Sequence, residues 1–130
     1  MTTVKALSAA TPALGCTASD AIHAPAPGVA DVTVIIINWN AGSLLRNCLE
    51  HLRRQTLQPA QVIVVDNAST DQSLDLPQEL LAWGALDIQR MGSNMGFAAG
   101  NNHALKQCTS EFVALLNPDA FPTPDWLEQL

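Results

Sequence analysis

Positive charge is scarce in this sequence, and this scarcity excludes one broad class of function. The 130 residues contain six Lys and Arg against twelve Asp and Glu, so the formal net charge is −6 and the pI is near 4.7. Binding to nucleic acid requires cations gathered against the phosphate backbone, and the cations here are few and scattered. We therefore expect no nucleic-acid partner and no electrostatic attachment to an anionic membrane.

Cysteine and long apolar runs are also rare. Cys16, Cys48 and Cys108 have no CxxC spacing and no close histidine partner, which argues against a zinc site or a disulfide framework. No apolar run approaches the ~20 residues of a membrane-spanning helix. These features favour a reducing compartment, so we expect a cytoplasmic protein that would reach the inner face of the membrane only through other parts or partners.

The sequence does contain enough apolar residues for one domain. It is 48% hydrophobic over 130 residues, which allows a single core. Residues 1–30 are rich in Ala, Pro, Thr and Ser and show no regular period, so we predict a flexible leader there. The character of the sequence changes at residue 31, and we predict one domain over residues 31–130.

Apolar runs alternate with amphipathic segments throughout this domain. The apolar runs predict strands at 32–38, 61–65, 85–89 and 112–116, and the β-branched, non-alternating runs indicate strands buried on both faces. Helices are predicted from an N-cap at Ser43, from a cap at Ser69 with a break at Pro77, over 95–107 and from an N-cap at Thr123. This βαβαβαβα order predicts an α/β fold with a largely parallel sheet flanked by helices.

Polar residues follow the carboxyl ends of the predicted strands, where ligands bind in such sheets. These residues are Asn38, Trp39, Asn40, Asp66, Asn67, Asn94, Asn117 and Asp119. Each also has a structural interpretation, because Asp66 and Asp119 can serve as turn residues and Trp39 can lie in the core. Next to two asparagines at a strand end, however, Trp39 can also be a stacking platform for a base.

Two glycines lie inside the third predicted helix, although the sequence has neither GxGxxG nor a Walker loop. Each glycine costs a helix interior ~1 kcal/mol relative to alanine, which suggests that something approaches the helix closely. For Gly100, packing against the sheet is the favoured reading. Gly96 lies nearer the helix start, where free N–H groups favour phosphate oxygens.

Four segments resemble the family 2 glycosyltransferases in their order and spacing: VTVIIINWN, VIVVDNASTD, NMGFAAGNN and LLNPDA. The forms DNASTD and NPDA are especially similar to its rhamnosyltransferase-like members. The resemblance covers residue 32 to about residue 127. It implies a GT-A fold, in which a Rossmann-like half that binds a nucleotide sugar precedes a half that binds the acceptor.

The resemblance also implies roles for individual residues. Trp39 matches the aromatic residue that stacks on the nucleobase, and Asp66 matches the acid that hydrogen-bonds the base. Asn94, Gly96 and Asn102 match the polar start and face of a helix near the donor. Asp119 matches the last acid of a DxD-type motif, which binds Mg²⁺ or Mn²⁺ on the donor diphosphate; Asn117 replaces the first acid and is a weaker ligand.

The implied reaction is transfer of a sugar, with inversion, from a nucleoside diphosphate sugar to the hydroxyl of a glycan or lipid-linked acceptor. The family's general base lies in the acceptor half, so we expect it beyond Leu130 and name no catalytic residue. We also expect the isolated chain to be inactive, and its exposed apolar surface to favour self-association.

The sequence leaves two alternatives to this function open. The same residues could belong to a non-catalytic nucleotide-binding or regulatory fragment. A signalling receiver domain is weaker, because receivers need a lysine at a later strand end and the only later lysine, Lys106, lies in a predicted helix.

Overall fold

The computed structural model describes residues 28–130 and, by their backbone alone, residues 5–8. Most of the predicted leader, residues 1–30, lies outside the described residues and stays a prediction. Within that range the structure describes a short strand, Lys5–Ser8, and the beginning of a second strand at Val29.

The fold is built on one five-stranded sheet. Its strands are β1 (Lys5–Ser8), β2 (Val29–Asn38), β3 (Gln58–Asp66), β4 (Leu86–Arg90) and β5 (Phe112–Leu116), in the order β1-β5-β2-β3-β4. Strands β2 to β5 are parallel, and β1 pairs antiparallel with the outer edge of β5. The predicted parallel sheet and its four strands are confirmed. The strand order reverses between β2 and β5, which is the switch point where such sheets bind ligands.

Helices cover both faces of the sheet, as the non-alternating strands predicted. Helix α1 (Ser43–Arg53) packs its buried face, including Leu45 and Leu49, on the sheet face that carries Val34. Helix α3 (Gly96–Leu105) covers the opposite face, which carries Ile35. Successive side chains of a strand point to opposite faces, so β2 and β3 need apolar residues at consecutive positions.

The starts and ends of several helices differ from the predictions. Gly42, rather than Ser43, is the N-cap of α1, with φ 57° and no side-chain cap. The predicted second helix is reduced to α2 (Gln78–Leu81). Ser69, predicted to cap that helix, instead donates its hydroxyl to Asp66 at 2.6 Å.

The predicted helix after Thr123 is wrong, because residues 124–128 form turns. The amide of Gln55 inserts between the two groups that would close the first helical turn. Its Nε2 donates to Thr123 O at 2.6 Å, and its Oε1 accepts from Leu127 N at 3.1 Å. The helical bond from Leu127 N to Thr123 O is therefore replaced by a tertiary contact.

No helix among the described residues is long and apolar enough to cross a membrane.

Candidate functional site

The ends of β2 and β3 bring a buried carboxylate to the carboxyl edge of the sheet. Asn38 and Asp66 are register partners, and the Asp66 side chain is 3% exposed. Its Oδ1 accepts from Asn38 Nδ2 at 2.7 Å and from Ser69 Oγ at 2.6 Å, and its Oδ2 accepts from Ser69 N at 3.1 Å. Neutral donors on two segments therefore fix the orientation of this carboxylate.

Asn38 lies beneath Asp66 and has no exposed surface. Its Nδ2 also lies 2.9 Å from Ser73 Oγ and 3.2 Å from Ser69 Oγ. Because Nδ2 has only two hydrogens for these three acceptors, one hydrogen is shared. The predicted contact between Asn38 and the donor is therefore corrected: a residue with no exposed surface can act only through the groups that it orients.

Trp39 and Asn40 follow directly and behave differently from each other. Trp39 is 59% exposed at the edge of the sheet, which is the condition for a stacking platform. Asn40 has φ 51°, and its Oδ1 accepts from the backbone N–H groups of Thr70 at 2.8 Å and Asp71 at 3.3 Å. The side-chain oxygen of Asn40 thus joins the loop after β2 to the loop after β3.

Asp71 completes this junction at the start of α1. Its carboxylate accepts from Gly42 N at 2.8 Å and from Ser73 N at 3.0 Å. The hydrogen bond from the Ser73 side chain, followed by the backbone bonds, lowers the pKa of Asp71 below 3.8. The carboxylate therefore stays ionised at neutral pH and holds the two loops together.

The start of α3 meets the end of β3. Asn67 is 1% exposed, and its Nδ2 donates to Gly96 O at 3.2 Å. Gly96 has φ 83°, and its N–H donates to Asn94 Oδ1 at 2.9 Å. Asn67 and Asn94 therefore position the first turn of α3, whereas Asn102 is exposed on its surface.

Close packing at Gly100 is confirmed. A Cβ at this position would lie 3.0 Å from Ile37 Cδ1 and 3.7 Å from Asn67 Nδ2. Helix α3 therefore approaches β2 and β3 more closely than an alanine would allow without a shift of Ile37.

One buried amide, that of Asn101, could not be predicted from the sequence. Asn101 is 6% exposed, and its Nδ2 donates to Phe97 O at 2.9 Å. Among the described residues, the Oδ1 atoms of Asn38, Asn67 and Asn101 are buried without a hydrogen-bond partner. Nothing distinguishes Asn101 from its exposed neighbour Asn102 in the sequence, because only the rotation of α3 decides which of them faces the sheet.

Asn117 and Asp119 lie exposed in a turn after β5, closed by a bond from Ala120 N to Asn117 O at 3.0 Å. Burial and, to a smaller extent, the charge of nearby Asp119 together raise the pKa of the Cys48 thiol to about 12. In the part of the chain that the structure describes, the Asp119 carboxylate has no hydrogen bond or ion pair, and Arg46–Glu50 is the one salt bridge. This carboxylate is free to accept a cation.

The oxygen atoms of Asp119 and Asn117 fit a hard divalent cation. Mg²⁺ is commonly held by one or two carboxylates together with substrate phosphates. Residues 28–130 contain no group of three or more His, Cys, Asp or Glu that could hold a metal by themselves. A metal here would therefore take its remaining ligands from water and from a bound phosphate compound.

The residues that form this edge of the sheet match a known protein family. The family model described as glycosyl transferase family 2 matches residues 33–130. The chain belongs to this family. The family 2 domain thus includes the whole edge of the sheet described above, from β2 through the turn that carries Asp119.

Individual relatives agree with this assignment. The chain is 32% identical over 89 residues to the O-antigen chain rhamnosyltransferase RfbN of Salmonella typhimurium, covering 68% of this chain and 28% of RfbN. It superimposes on residues 1–349 of TarS from S. aureus in complex with UDP-GlcNAc with a TM-score of 0.69 and 27% identity, covering 75% of this chain and 29% of TarS.

A second solved structure was determined with a metal ion. It is the mannosyltransferase PcManGT from Pyrobaculum calidifontis in complex with GDP-Man and Mn²⁺, with a TM-score of 0.65 and 29% identity, covering 72% of this chain and 29% of PcManGT. This family 2 chain spans less than a third of the length of each of these relatives.

Proposed function

We propose that this chain is the donor-binding portion of a glycosyltransferase that moves a sugar from a nucleoside diphosphate sugar to an acceptor hydroxyl with inversion. One observation carries the proposal: exposed Trp39 and the fixed Asp66 carboxylate lie at the carboxyl edge of the sheet, and the free carboxylate of Asp119 follows β5 across the switch point. Ligands of open α/β sheets bind at this position. The relatives that bind UDP-GlcNAc and GDP-Man support it.

Trp39 and Asp66 would recognise the nucleobase. An exposed indole offers a flat surface to any base, and stacking of this kind is worth ~1–3 kcal/mol per base. Each carboxylate oxygen has two lone-pair sites, so Asp66 can accept an N–H of the base while it keeps its bonds to Asn38 and Ser69. The rigid support of Asp66 would make this contact selective for one base edge.

The start of α3 and the turn after β5 would hold the rest of the donor. Backbone N–H groups at a helix start favour anions, and here Gly96 begins the helix, with Asn94 bonded to it and Asn102 exposed further along the helix. Asp119 and Asn117 would hold Mg²⁺ or Mn²⁺. When bound, the metal would neutralise charge on the departing nucleoside diphosphate.

We also propose the subgroup of the enzyme, its acceptor and the place of its reaction in the cell. The similarity to RfbN supports a rhamnosyltransferase-like member of the family. We further propose a glycan or lipid-linked acceptor and a cytoplasmic reaction at the inner face of the membrane. The exposed side chains of Trp39, Met95 and Phe97 support self-association of the chain in the absence of a donor.

Calorimetry with UDP, GDP, ADP, CDP and dTDP, each with and without Mn²⁺, tests the function. We expect one base to be preferred, tighter binding in the presence of metal, and loss of the metal-dependent part in Asp119→Ala. Asp31→Ala is the matched control, because Asp31 lies near the start of β2 at the opposite edge of the sheet. Absence of binding by every nucleotide in a folded protein would show that this site does not take the donor.

A further inference from the structure

The segment that carries Asp119 is held by one face of α1 and its extension. Three side chains of this face contact backbone carbonyl oxygens of the segment: Cys48 Sγ to Asn117 O at 3.7 Å, His51 Nδ1 to Pro122 O at 3.3 Å, and Gln55 Nε2 to Thr123 O at 2.6 Å. Positions 48, 51 and 55 follow the spacing of one helical face. The contacts therefore form a continuous row along the segment.

Gln55 is the most complete contact of this row. It is 4% exposed, and its Nε2 donates to His51 O at 3.3 Å as well as to Thr123 O. Its Oε1 accepts from Leu127 N at 3.1 Å. Both hydrogens and the oxygen of the amide are thus used, and a buried amide in this state costs free energy to displace.

Thr56 extends the same attachment at the surface. Its N–H donates to Pro124 O at 2.8 Å, and its hydroxyl lies 2.7 Å from Glu128 Oε1. We call the contacts made by Gln55 and Thr56 the Gln55 clamp.

The Gln55 clamp holds the chain that directly follows the turn carrying Asp119. On one side the turn is attached to β5, whose last residue, Leu116, pairs with Ile36. Within the turn, the described backbone bond is the one from Ala120 N to Asn117 O. On the other side Ala120 is buried in the core that α1 lines, His51 contacts Pro122 O at 3.3 Å, and the Gln55 clamp fixes the chain from Thr123 onward.

We propose that Gln55 is a positioning residue for Asp119, which holds the turn after β5 so that the carboxylate is already placed for a metal-bound nucleoside diphosphate. This inference rests on the proposed donor site. A carboxylate on a loosely attached turn would have to be ordered on binding, and that ordering reduces affinity. The clamp therefore acts on the metal-dependent part of donor binding and leaves base recognition at Trp39 and Asp66 unchanged.

The test compares Gln55→Met with Gln107→Met in the full chain. Methionine keeps the length of the side chain and removes all its hydrogen bonds, and Gln107 is an exposed glutamine just after α3 that is bonded to Gln89 of β4. The first readout needs no ligand: hydrogen exchange of the amides in residues 117–128. We expect Gln55→Met to speed exchange in this segment by roughly tenfold, the scale of one lost hydrogen bond, and Gln107→Met to leave it unchanged.

The second readout is the ratio of the Kd of UDP or GDP without Mn²⁺ to the Kd with Mn²⁺. We expect this ratio to fall roughly fivefold in Gln55→Met, with the metal-free Kd unchanged, since the loss of one or two hydrogen bonds is on this scale. General destabilisation would lower the fraction of active protein but would not change the ratio.

The outcomes separate the two proposals. If wild-type protein binds no nucleotide more tightly with metal, the proposed metal site fails whatever Gln55 does. If the wild-type ratio is present and folded Gln55→Met keeps it, or keeps slow exchange in residues 117–128, the positioning role is wrong. Should Gln55→Met not fold, Thr56→Val removes the exposed hydroxyl bond of the clamp, and an unchanged ratio in that variant overturns the proposal.

Discussion

Replacement of Asn38 should show whether the buried network beneath Asp66 holds the fold and the site together. Asn38 has no exposed surface, and its amide reaches Asp66, Ser69 and Ser73 at 2.7 to 3.2 Å. Asn38→Leu keeps the branching and the number of heavy atoms of the side chain but removes the donor. Asn38→Asp keeps the shape but puts a carboxylate oxygen where the donor stood, next to the Asp66 carboxylate.

The size of the effect follows from the partners. A hydrogen bond to a charged group is worth ~1.5–3 kcal/mol and a bond between neutral groups ~1 kcal/mol. Losing the Asp66 bond and one hydroxyl bond should therefore lower the free energy of unfolding by about 3 kcal/mol in Asn38→Leu. Asn38→Asp should lose more at neutral pH, because the lost attraction is replaced by repulsion between like charges.

Urea unfolding followed by tryptophan fluorescence measures these changes. Asn47→Leu is the control, since Asn47 is an exposed α1 residue and surface substitutions usually change stability by less than ~0.5 kcal/mol. If Asn38→Leu is no more destabilised than Asn47→Leu, the amide does not support Asp66, and the reasoning from the buried network is refuted.

Three further predictions concern single residues. Gly42→Ala should lower the free energy of unfolding in urea by about 1–3 kcal/mol, because Gly42 has φ 57° and ψ −137°. Gly84→Ala is the control and should change this free energy little, because Gly84 has no positive φ. The free energy of unfolding should fall as pH rises from 9.0 towards 12, because Cys48 ionises first in the unfolded chain while its folded pKa is about 12. The slope of this free energy against pH should approach ~1.4 kcal/mol per pH unit. An equal slope in Cys48→Ala would contradict this prediction. Trp39→Ala should leave stability almost unchanged, because Trp39 is 59% exposed, but should weaken nucleotide binding by ~1–3 kcal/mol in calorimetry; unaltered binding would remove its stacking role.

Local pattern was enough to predict the parallel sheet. The strands β2 and β3 are apolar at consecutive positions, and only burial on both faces explains such runs. Because the parallel strands end at one edge, the polar residues after them could be predicted to gather there. The resemblance to family 2 then indicated expected roles for some of these residues, among them Trp39, Asp66 and Asp119.

Tertiary contacts decided what the pattern could not predict. Thr123 and Pro124 have the signals of a helix start, but the buried amide of Gln55 takes the hydrogen bonds that a helix would need. The burial of Asn38 and Asn101 depends on where strand ends and helix faces meet, which no local spacing encodes. Propensity signals are weak compared with such buried hydrogen bonds.

The most direct test of the donor site is an NMR titration of the full chain with the preferred nucleoside diphosphate, first with Mg²⁺ and then with trace Mn²⁺. The proposed donor site predicts that the Trp39 indole N–H and the amides of Asn67 and Gly96 shift with nucleotide, and that paramagnetic Mn²⁺ broadens the amides of Asp119 and Ala120 only when nucleotide is present. Shifts confined to other surfaces, or Mn²⁺ broadening that bypasses the turn after β5, would contradict it.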